Sequence, residues 1–150
     1  DLYDEALRRA PGQDIIVQAA APVDYRPETV SPQKLKKHGG EALVLRLVEN
    51  PDVAQAIGRQ KRQGQVLVGF AAETQNLTDN ALRKLEAKNL DLIVANDVTA
   101  EGAGFGTDTN IVTLLTRTQA QSLPRMSKDD VANRIWDRAL EIRREALQPA

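Results

Sequence analysis

The chain has 150 residues, no cysteine, one histidine and a formal net charge of −1. This length suits one domain with its own core. Lack of cysteine excludes disulfides and thiolate metal sites, and a single histidine excludes a multi-histidine zinc site. Near-zero net charge and 3% aromatic residues argue against nucleic-acid binding, and no apolar run approaches the ~20 residues of a membrane helix. The composition predicts a cytoplasmic protein with no nucleic-acid or membrane partner.

The chain begins at Asp1, without methionine, and enters directly into a helical pattern. The apolar residues Leu2, Ala6, Leu7 and Ala10 recur at helical spacing. Pro11 and Gly12 then end the pattern. We therefore expect the chain to be a fragment of a longer protein, with the N-terminal portion of its domain missing.

Residues 14–20 are apolar apart from Asp14 and Gln18 and do not alternate with polar residues, which predicts a strand buried on both faces. Pro22, Pro27 and Pro32 should then prevent a helix or a central strand. Residues 42–48 (ALVLRLV) are again strand-like. The segment between the two predicted strands should be a long polar loop that ends in a basic run.

Asn50, Pro51 and Asp52 predict a helix start, with Asn50 as the cap and Pro51 at the first helical position. Further strands are predicted at residues 65–70, 90–95 and 110–116, with helices at residues 76–89 and from Ser127 onward. Strands that alternate with helices predict a single α/β domain over residues 1–150. We expect a Rossmann-like three-layer fold with a mostly parallel central sheet and an additional β-strand and flap region.

Ligands of open α/β sheets bind at the carboxyl ends of the strands. Ala19, Ala20 and Asp24 follow the first predicted strand, Phe70 ends the next buried one, and Asn96 and Asp97 follow the third. The start of the helix after Asp52 offers backbone N–H groups. Five lysines could add positive charge to this site. Three lie in the predicted loop (Lys34, Lys36 and Lys37), and two lie on one face of a predicted helix (Lys84 and Lys88). The pattern predicts an anion site, although the sequence contains neither a Walker motif nor a G-x-G-x-x-G fingerprint.

Each feature also has a purely structural explanation. Lysine clusters are usually solvated surface, and helix capping alone accounts for residues 50–52. Asp24 could be a turn acid that pairs with Arg26, His38 could be an ordinary loop residue, and Phe105 could fill a local hollow in the Gly-rich stretch 99–109. Taken singly, none of these features identifies a function.

In combination, the motifs resemble a known family. They occur in the order DYRP at Asp24, KLKK at Lys34, NPD at Asn50, GFAAET at residues 69–74, Lys84 with Lys88, and NDV at Asn96. This order is similar to the C-terminal part of bacterial phosphopantothenoylcysteine synthetase, from about Asp14 through the last helix. In many bacteria that domain is the second half of a bifunctional coenzyme A biosynthesis protein, behind a flavin-dependent decarboxylase.

The resemblance implies a phosphopantothenate–cysteine ligase. It uses CTP to activate 4′-phosphopantothenate as an acyl-cytidylate and then forms an amide with cysteine. It also implies Mg²⁺ as the companion ion of the nucleotide, with ligands that stay unknown, and a homodimer. Lys34, on the flap, is the implied catalytic residue. The implied nucleotide-binding residues are Gln18, Ala19, Ala20, Asp24, Lys34, Pro51, Asp52, Val53, Ala54, Phe70, Lys84 and Lys88.

The sequence departs from the family pattern in two places. The family usually reads AAVADYRP, whereas Pro22 follows the alanines here and removes a backbone donor. The family's upstream Gly/Ser-rich loop, with an asparagine that handles the acyl-cytidylate, has no counterpart in these residues. We therefore expect this polypeptide alone to lack full synthetase activity. Two alternatives stay open, namely a nucleotide-binding or dimerisation module without catalysis, and a different α/β enzyme that acts on phosphorylated substrates.

Overall fold

A computed structural model of the chain describes residues 1–37, 39–40, 42–73, 77–97 and 106–148. His38 and Phe105, which the sequence analysis considered, lie outside the described residues. Within the described ranges, no helix is both long enough and apolar enough to cross a membrane.

The helices are α1 (Leu2–Arg9), α2 (Val53–Gln60), α3 (Leu77–Ala87) and α4 (Lys128–Leu147), with a 3-10 turn at Ala10–Gly12. The strands are β1 (Ile15–Val17), β2 (Tyr25–Pro27), β3 (Leu47–Glu49), β4 (Val66–Glu73), β5 (Leu92–Asp97), β6 (Thr109–Asn110), β7 (Val112–Leu115), β8 (Ala120–Ser122) and β9 (Met126–Ser127).

The chain divides into two compact units. Unit 1 comprises residues Asp1–Ala19 and Val53–Ala150, and unit 2 is the intervening segment Ala20–Asp52. The single domain expected over residues 1–150 stays a prediction.

The sheet of unit 1 has five strands in the order β1-β4-β5-β7-β8. β1, β4 and β5 are parallel neighbours, whereas β7 is antiparallel to both β5 and β8. Four of the five strands therefore run in one direction, and only β7 opposes them. The predicted α/β class and the mostly parallel core are confirmed.

Apolar side chains on both faces of this sheet are buried, which explains the continuous apolar runs in the sequence. One face packs against α1, α2 and α3, with Ile57 and Leu85 among its most buried members. The other face packs against α4 through Val131, Ile135 and Ala139. The result is a three-layer arrangement, with helices covering both faces of the sheet.

The edge where the strands begin is tied together by ion pairs. Lys61 follows α2, and its Nζ lies 2.7 Å from a carboxylate oxygen of Asp91, the residue before β5. Asp14, the residue before β1, is paired with Arg62 at 2.8 Å and with Arg143 of α4 at 3.0 Å. These arginines, Arg62 first, lower the pKa of the Asp14 carboxyl. Both α2 and α4 therefore end at this edge, and their first turns lie toward the opposite, carboxyl edge.

Close packing between helices adds to this anchorage. A Cβ at Gly58 of α2 would overlap the backbone carbonyl oxygen of Lys88, so only glycine allows the approach. The neighbouring Asn89 donates its side-chain amide to the Gly58 carbonyl at 2.8 Å and has a positive φ of 51°. The start of α4 is as expected, since the Ser127 hydroxyl accepts the Asp130 N–H at 3.0 Å.

Several predicted elements differ from the observed ones. The first strand is only three residues long and half-buried, because β1 lies at an edge of the described sheet. The prediction of a strand at residues 42–48 was wrong for most of that range. Residues 42–46 are exposed and irregular, and only the last two residues of the range belong to a strand, β3. β3 pairs instead with β2 as an exposed antiparallel ribbon in unit 2.

The predicted start of α2 was also wrong. The helix begins at Val53, so Pro51 is not its first residue. Asn50 belongs to the ribbon, because its backbone N–H donates to the Asp24 carbonyl at 2.7 Å and its side-chain amide donates to the Val23 carbonyl at 2.7 Å. Asparagine is favoured in both settings, since its side chain bonds backbone groups equally well in caps and turns.

Candidate functional site

Three predicted site residues lie together at the carboxyl side of the sheet. Val17 of β1 is in register with Val68 of β4, and the backbone N–H of Gln18 donates to the Val68 carbonyl at 2.9 Å. Gln18 and Ala19 therefore continue alongside the part of β4 that contains Phe70. Parallel pairing brings these residues together although fifty residues separate them in sequence.

Phe70 presents an aromatic side chain to solvent from the middle of a central strand. Its two strand neighbours, Val68 and Val94, are fully buried beneath α4, yet Phe70 itself is 40% exposed. Residues two apart on a strand share a face, so Phe70 lies on the α4 side, beyond the part of the sheet that α4 covers. An exposed aromatic ring at this position can stack on a planar ligand.

Asn96 is a polar residue at the same end of the sheet. It is in register with Ala72 of β4 and two residues beyond Val94, so it lies on the same face as Phe70. Its side-chain Oδ1 is buried and has no hydrogen-bond partner among the described residues. A buried acceptor without a donor costs about 1–3 kcal/mol. Asn96 was expected at a strand end but was not among the predicted site residues, although an amide ending an apolar strand was an available signal.

The first turn of α2 supplies two more predicted residues, Val53 and Ala54. Both side chains are buried, at 5% and 8% exposure, and pack in the core beneath the sheet. They therefore anchor the helix start, and any contact with a ligand there would come from their backbone.

Unit 2 holds the predicted residues that surround the β2–β3 ribbon. The Asp24 carbonyl accepts from Asn50, and Arg26 donates to the Asn50 Oδ1 at 2.9 Å and to the Glu49 carbonyl at 3.0 Å. Arg26 is thus bound to the partner strand, in place of the suggested pairing with Asp24. Ala20, Pro51 and Asp52 are the remaining predicted residues of this unit.

The loop lysines of unit 2 are exposed. Lys34, Lys36 and Lys37 lie in a stretch without helix or strand. Three cations on an irregular exposed segment suit either a solvated surface or a ligand-binding loop, and charge alone does not separate the two.

Lys84 and Lys88 lie at a different place in unit 1. Lys84 is in the last turn of α3, and Lys88 comes just after the helix, four residues before β5 begins. The end of α3 faces the edge where the strands start, so the structure does not bring this pair to the carboxyl ends near Asn96.

A metal site formed by protein side chains alone is not found in the described part of the chain, since no three acidic, histidine or cysteine side chains cluster there. Mg²⁺ bound with a nucleotide usually takes its ligands from phosphates, waters and only one or two carboxylates. The residues present are therefore compatible with an ion carried by the nucleotide but identify no ligand for it.

Comparison with known protein families gives a match over almost the entire chain. Residues 1–142 match the family described as DNA/pantothenate metabolism flavoprotein C-terminal domain. The chain belongs to this family. The match includes all four helices and every strand of the described structure, apart from the last residues of α4.

Relatives of the chain have names from coenzyme A biosynthesis. The coenzyme A biosynthesis bifunctional protein CoaBC of Bacillus subtilis is 47% identical over 88% of this chain and 32% of its own length. The protein of the same name from Vibrio cholerae is 38% identical over 90% of this chain and 34% of its own length. This chain therefore spans about a third of the length of these relatives.

A solved structure has the same fold. The crystal structure of the C-terminal domain of a coenzyme A biosynthesis bifunctional protein CoaBC superposes with a TM-score of 0.74 at 34% identity, over 97% of this chain and 64% of the other. This likeness supports the α/β arrangement described above.

These findings correct the family assignment of the sequence analysis. That assignment named bacterial phosphopantothenoylcysteine synthetase and placed the resemblance from about Asp14 onward. The family that matches is the DNA/pantothenate metabolism flavoprotein C-terminal domain, and the match begins at residue 1. Helix α1 was therefore wrongly left outside the resemblance.

Proposed function

We propose that this domain performs the phosphopantothenate–cysteine ligase reaction of coenzyme A biosynthesis. The observation that carries the proposal is the family match over residues 1–142, together with relatives named as bifunctional proteins of that pathway. Because the relatives are named as bifunctional proteins, the proposal includes a flavin-dependent decarboxylase fused upstream of the ligase. It also includes a cytoplasmic location.

The proposed reaction has two balanced steps. A carboxylate oxygen of 4′-phosphopantothenate attacks the α-phosphorus of CTP, and pyrophosphate leaves with the electrons of the broken P–O bond. The amine of cysteine then attacks the acyl carbon of the acyl-cytidylate, loses a proton and expels CMP. Both steps move negative charge onto phosphate oxygens, which nearby cations and backbone N–H groups stabilise.

Unit 1 is proposed to supply the platform for the nucleotide. Gln18 and Ala19 provide backbone beside β4, Phe70 provides a ring for stacking, and Val53 and Ala54 begin a helix whose dipole favours phosphate. The buried Oδ1 of Asn96, which lacks a donor, supports an additional role in accepting a hydrogen bond from the ligand. Lys84 and Lys88 stay in the proposed set on the resemblance alone, because their position favours it least.

Unit 2 is proposed to supply the cationic side of the chemistry. Lys34 stabilises charge that develops on the transferring phosphate, and Ala20, Asp24, Pro51 and Asp52 are the other proposed nucleotide contacts. Mg²⁺ would neutralise the phosphates of CTP and polarise them toward attack. Lys34 is exposed, which is compatible with this role.

We also propose a homodimer. Unit 2 exposes an unusual number of large apolar side chains for its size, and they are Val23, Tyr25, Val30, Leu35, Leu43, Val44, Leu45 and Leu47. Exposed apolar surface of this density is typical of association sites.

Substitution of Lys34 tests the catalytic proposal. Lys34→Gln should slow pyrophosphate release from CTP and 4′-phosphopantothenate by about 10²–10³-fold, because a charge that stabilises the transition state is lost. The free energy of unfolding should change by no more than about 0.5 kcal/mol, since Lys34 is exposed and outside the core.

Lys37→Gln is the matched control, because it removes an equal charge from the same exposed stretch. It should reduce the rate far less than Lys34→Gln. Equal rates for wild type and Lys34→Gln, measured in the full-length protein, would show that Lys34 is an ordinary solvated surface residue.

A further inference from the structure

Arg26 and Asn50 belong to the motifs DYRP and NPD, yet the proposed ligase site gives neither of them a role. Both lie in unit 2, where they connect the two strands of the β2–β3 ribbon. The Nη1 of Arg26 donates to the Glu49 carbonyl at 3.0 Å and to the Asn50 Oδ1 at 2.9 Å. A side chain of β2 therefore binds the last residue of β3 and the residue after it.

Asn50 extends this connection to the residues that precede β2. Its backbone N–H donates to the Asp24 carbonyl at 2.7 Å, and its side-chain amide donates to the Val23 carbonyl at 2.7 Å. Because the Asn50 Oδ1 accepts from Arg26, the oxygen and the nitrogen of this side chain are both bonded. The chain that enters β2 is therefore bonded to the chain that leaves β3.

The same arrangement leaves the Asp24 carboxylate without a partner. It has no ion pair or hydrogen bond with any residue in the described ranges, although Arg26 is only two residues away. The guanidinium of Arg26 is bonded to Glu49 and Asn50 instead. A carboxylate that is not paired within the chain can accept hydrogen bonds from a ligand, and the backbone of Asp24 is meanwhile held by Asn50.

We propose that the Arg26–Asn50 pair positions the nucleotide contacts of unit 2. The pair fixes Asp24, before β2, relative to Pro51 and Asp52, after β3, at the spacing that CTP requires. This role rests on the proposed ligase function, because those three residues are CTP contacts only under that proposal. Arg26 and Asn50 are positioning residues, since they act through their neighbours and bind no substrate themselves.

The length of the ribbon explains why such a connection is needed. β2 and β3 have three residues each. A two-stranded ribbon is only marginally stable by itself. Backbone pairing alone would therefore let the ends of the ribbon separate, and the side-chain hydrogen bonds of Arg26 and Asn50 oppose that separation beside Asp24.

The opposite end of the ribbon provides a matched control. There the Nε of Arg46 lies 3.4 Å from a carboxylate oxygen of Glu28, and the Arg46 side chain is 80% exposed. A single exposed ion pair contributes little to stability. Arg46→Gln therefore removes the same charge from the same ribbon as Arg26→Gln, but at the end away from Asp24.

Steady-state kinetics of the full-length protein separates a positioning role from a merely structural one. Arg26→Gln and Asn50→Ala should each raise KM for CTP about tenfold or more, because displaced contacts weaken nucleotide binding. The kcat should fall by less than about threefold, since these contacts serve the bound substrate and the transition state alike. KM for cysteine should be unchanged, and Arg46→Gln should match the wild type in all three constants.

The double variant shows whether Arg26 acts through Asn50. If the two residues work as one hydrogen-bonded unit, combining Arg26→Gln with Asn50→Ala should raise KM for CTP no further than the more damaging single change. Effects that multiply would show that the arginine contacts the nucleotide directly, and they would overturn the positioning role.

Amide hydrogen exchange gives a readout that needs no substrate. The Asn50 N–H should exchange about tenfold faster in Arg26→Gln than in the wild type or Arg46→Gln, because its bond to Asp24 opens more often. Unchanged exchange, or an unchanged KM for CTP in a variant that still turns over, would overturn the positioning role alone. A wild type that does not consume CTP would instead overturn the proposed function, and the positioning role with it.

Discussion

Asn96 is the residue whose surroundings point most directly to a ligand. The sheet fixes it on the same face as Phe70, and its Oδ1 is buried without a donor in the described structure. Buried polar groups without a partner are rare in native proteins, and a functional role or a bound water or ion is a common explanation. Asn110, which is also buried, shows the ordinary arrangement, because its Oδ1 accepts the Ile111 N–H at 2.9 Å.

This contrast gives a prediction for Asn96→Leu. Removing a buried acceptor that lacks a partner should leave the free energy of unfolding unchanged or raise it by up to about 2 kcal/mol. Nucleotide binding should weaken by about tenfold or more, because one hydrogen bond to the ligand is lost. Urea denaturation and calorimetric titration of the same preparation measure the two effects.

Asn110→Leu is the matched control at a buried asparagine with a partner. It should lower the free energy of unfolding by about 1–3 kcal/mol, since the Ile111 N–H loses its acceptor. A structural role for Asn96 would instead give both variants the same loss of stability.

At the scale of elements, the strand-start edge is held by charged residues that belong to three different segments. Asp14, before β1, bonds Arg62 after α2 and Arg143 in α4. The pKa of the Asp14 carboxyl is lowered by these arginines, so the carboxylate stabilises the folded state. The stabilisation is present above the ordinary pKa of 3.8 and is lost as the pH falls through the lower folded value.

Asp14→Asn should therefore change the pH dependence of stability. The melting temperature of the variant should lie below that of wild type at pH 7, and the difference should shrink as the pH falls below 3.8. Arg62→Gln should also melt below wild type at pH 7, and that difference should also shrink as the pH falls, because Arg62 is the main cause of the lowered pKa of Asp14. Parallel curves from pH 7 to pH 2 would show that the ion pairs do not couple to folding.

The elements of unit 1 were largely predictable from sequence, because burial on both faces leaves uninterrupted apolar runs such as residues 66–71. The start of α4 was predictable from its capping serine. The short strands β2, β6, β8 and β9 were not, because two or three residues carry no readable periodicity. The strand expected at residues 42–48 failed for the opposite reason, since an apolar run indicates burial and these described residues are exposed.

The candidate site was predictable only in part. Strand-end reasoning placed Ala19 at the same edge of the sheet as Phe70, and the pairing of β1 with β4 agrees with this, because parallel pairing follows from the α/β pattern. It could not show that α3 carries Lys88 toward the opposite edge, which depends on where the helix ends in space. It also could not show that the Asn96 side chain lacks a partner in the described structure, because local sequence does not determine hydrogen bonds between distant segments.

At the scale of the whole molecule, the chain combines a well-packed α/β unit with a segment that is mostly exposed. Buried apolar residues concentrate in unit 1, whereas the residues of unit 2 that the structure describes are nearly all exposed. The central claim is that this family member uses CTP.

Calorimetric titration of the folded chain with CTP and Mg²⁺ tests that claim most directly, with ATP and Mg²⁺ titrated under identical conditions. The account predicts saturable binding of CTP and at least about tenfold weaker binding of ATP, a difference of about 1.4 kcal/mol. Binding of ATP as tight as that of CTP, or no binding of CTP by protein that unfolds cooperatively in the same buffer, would contradict it.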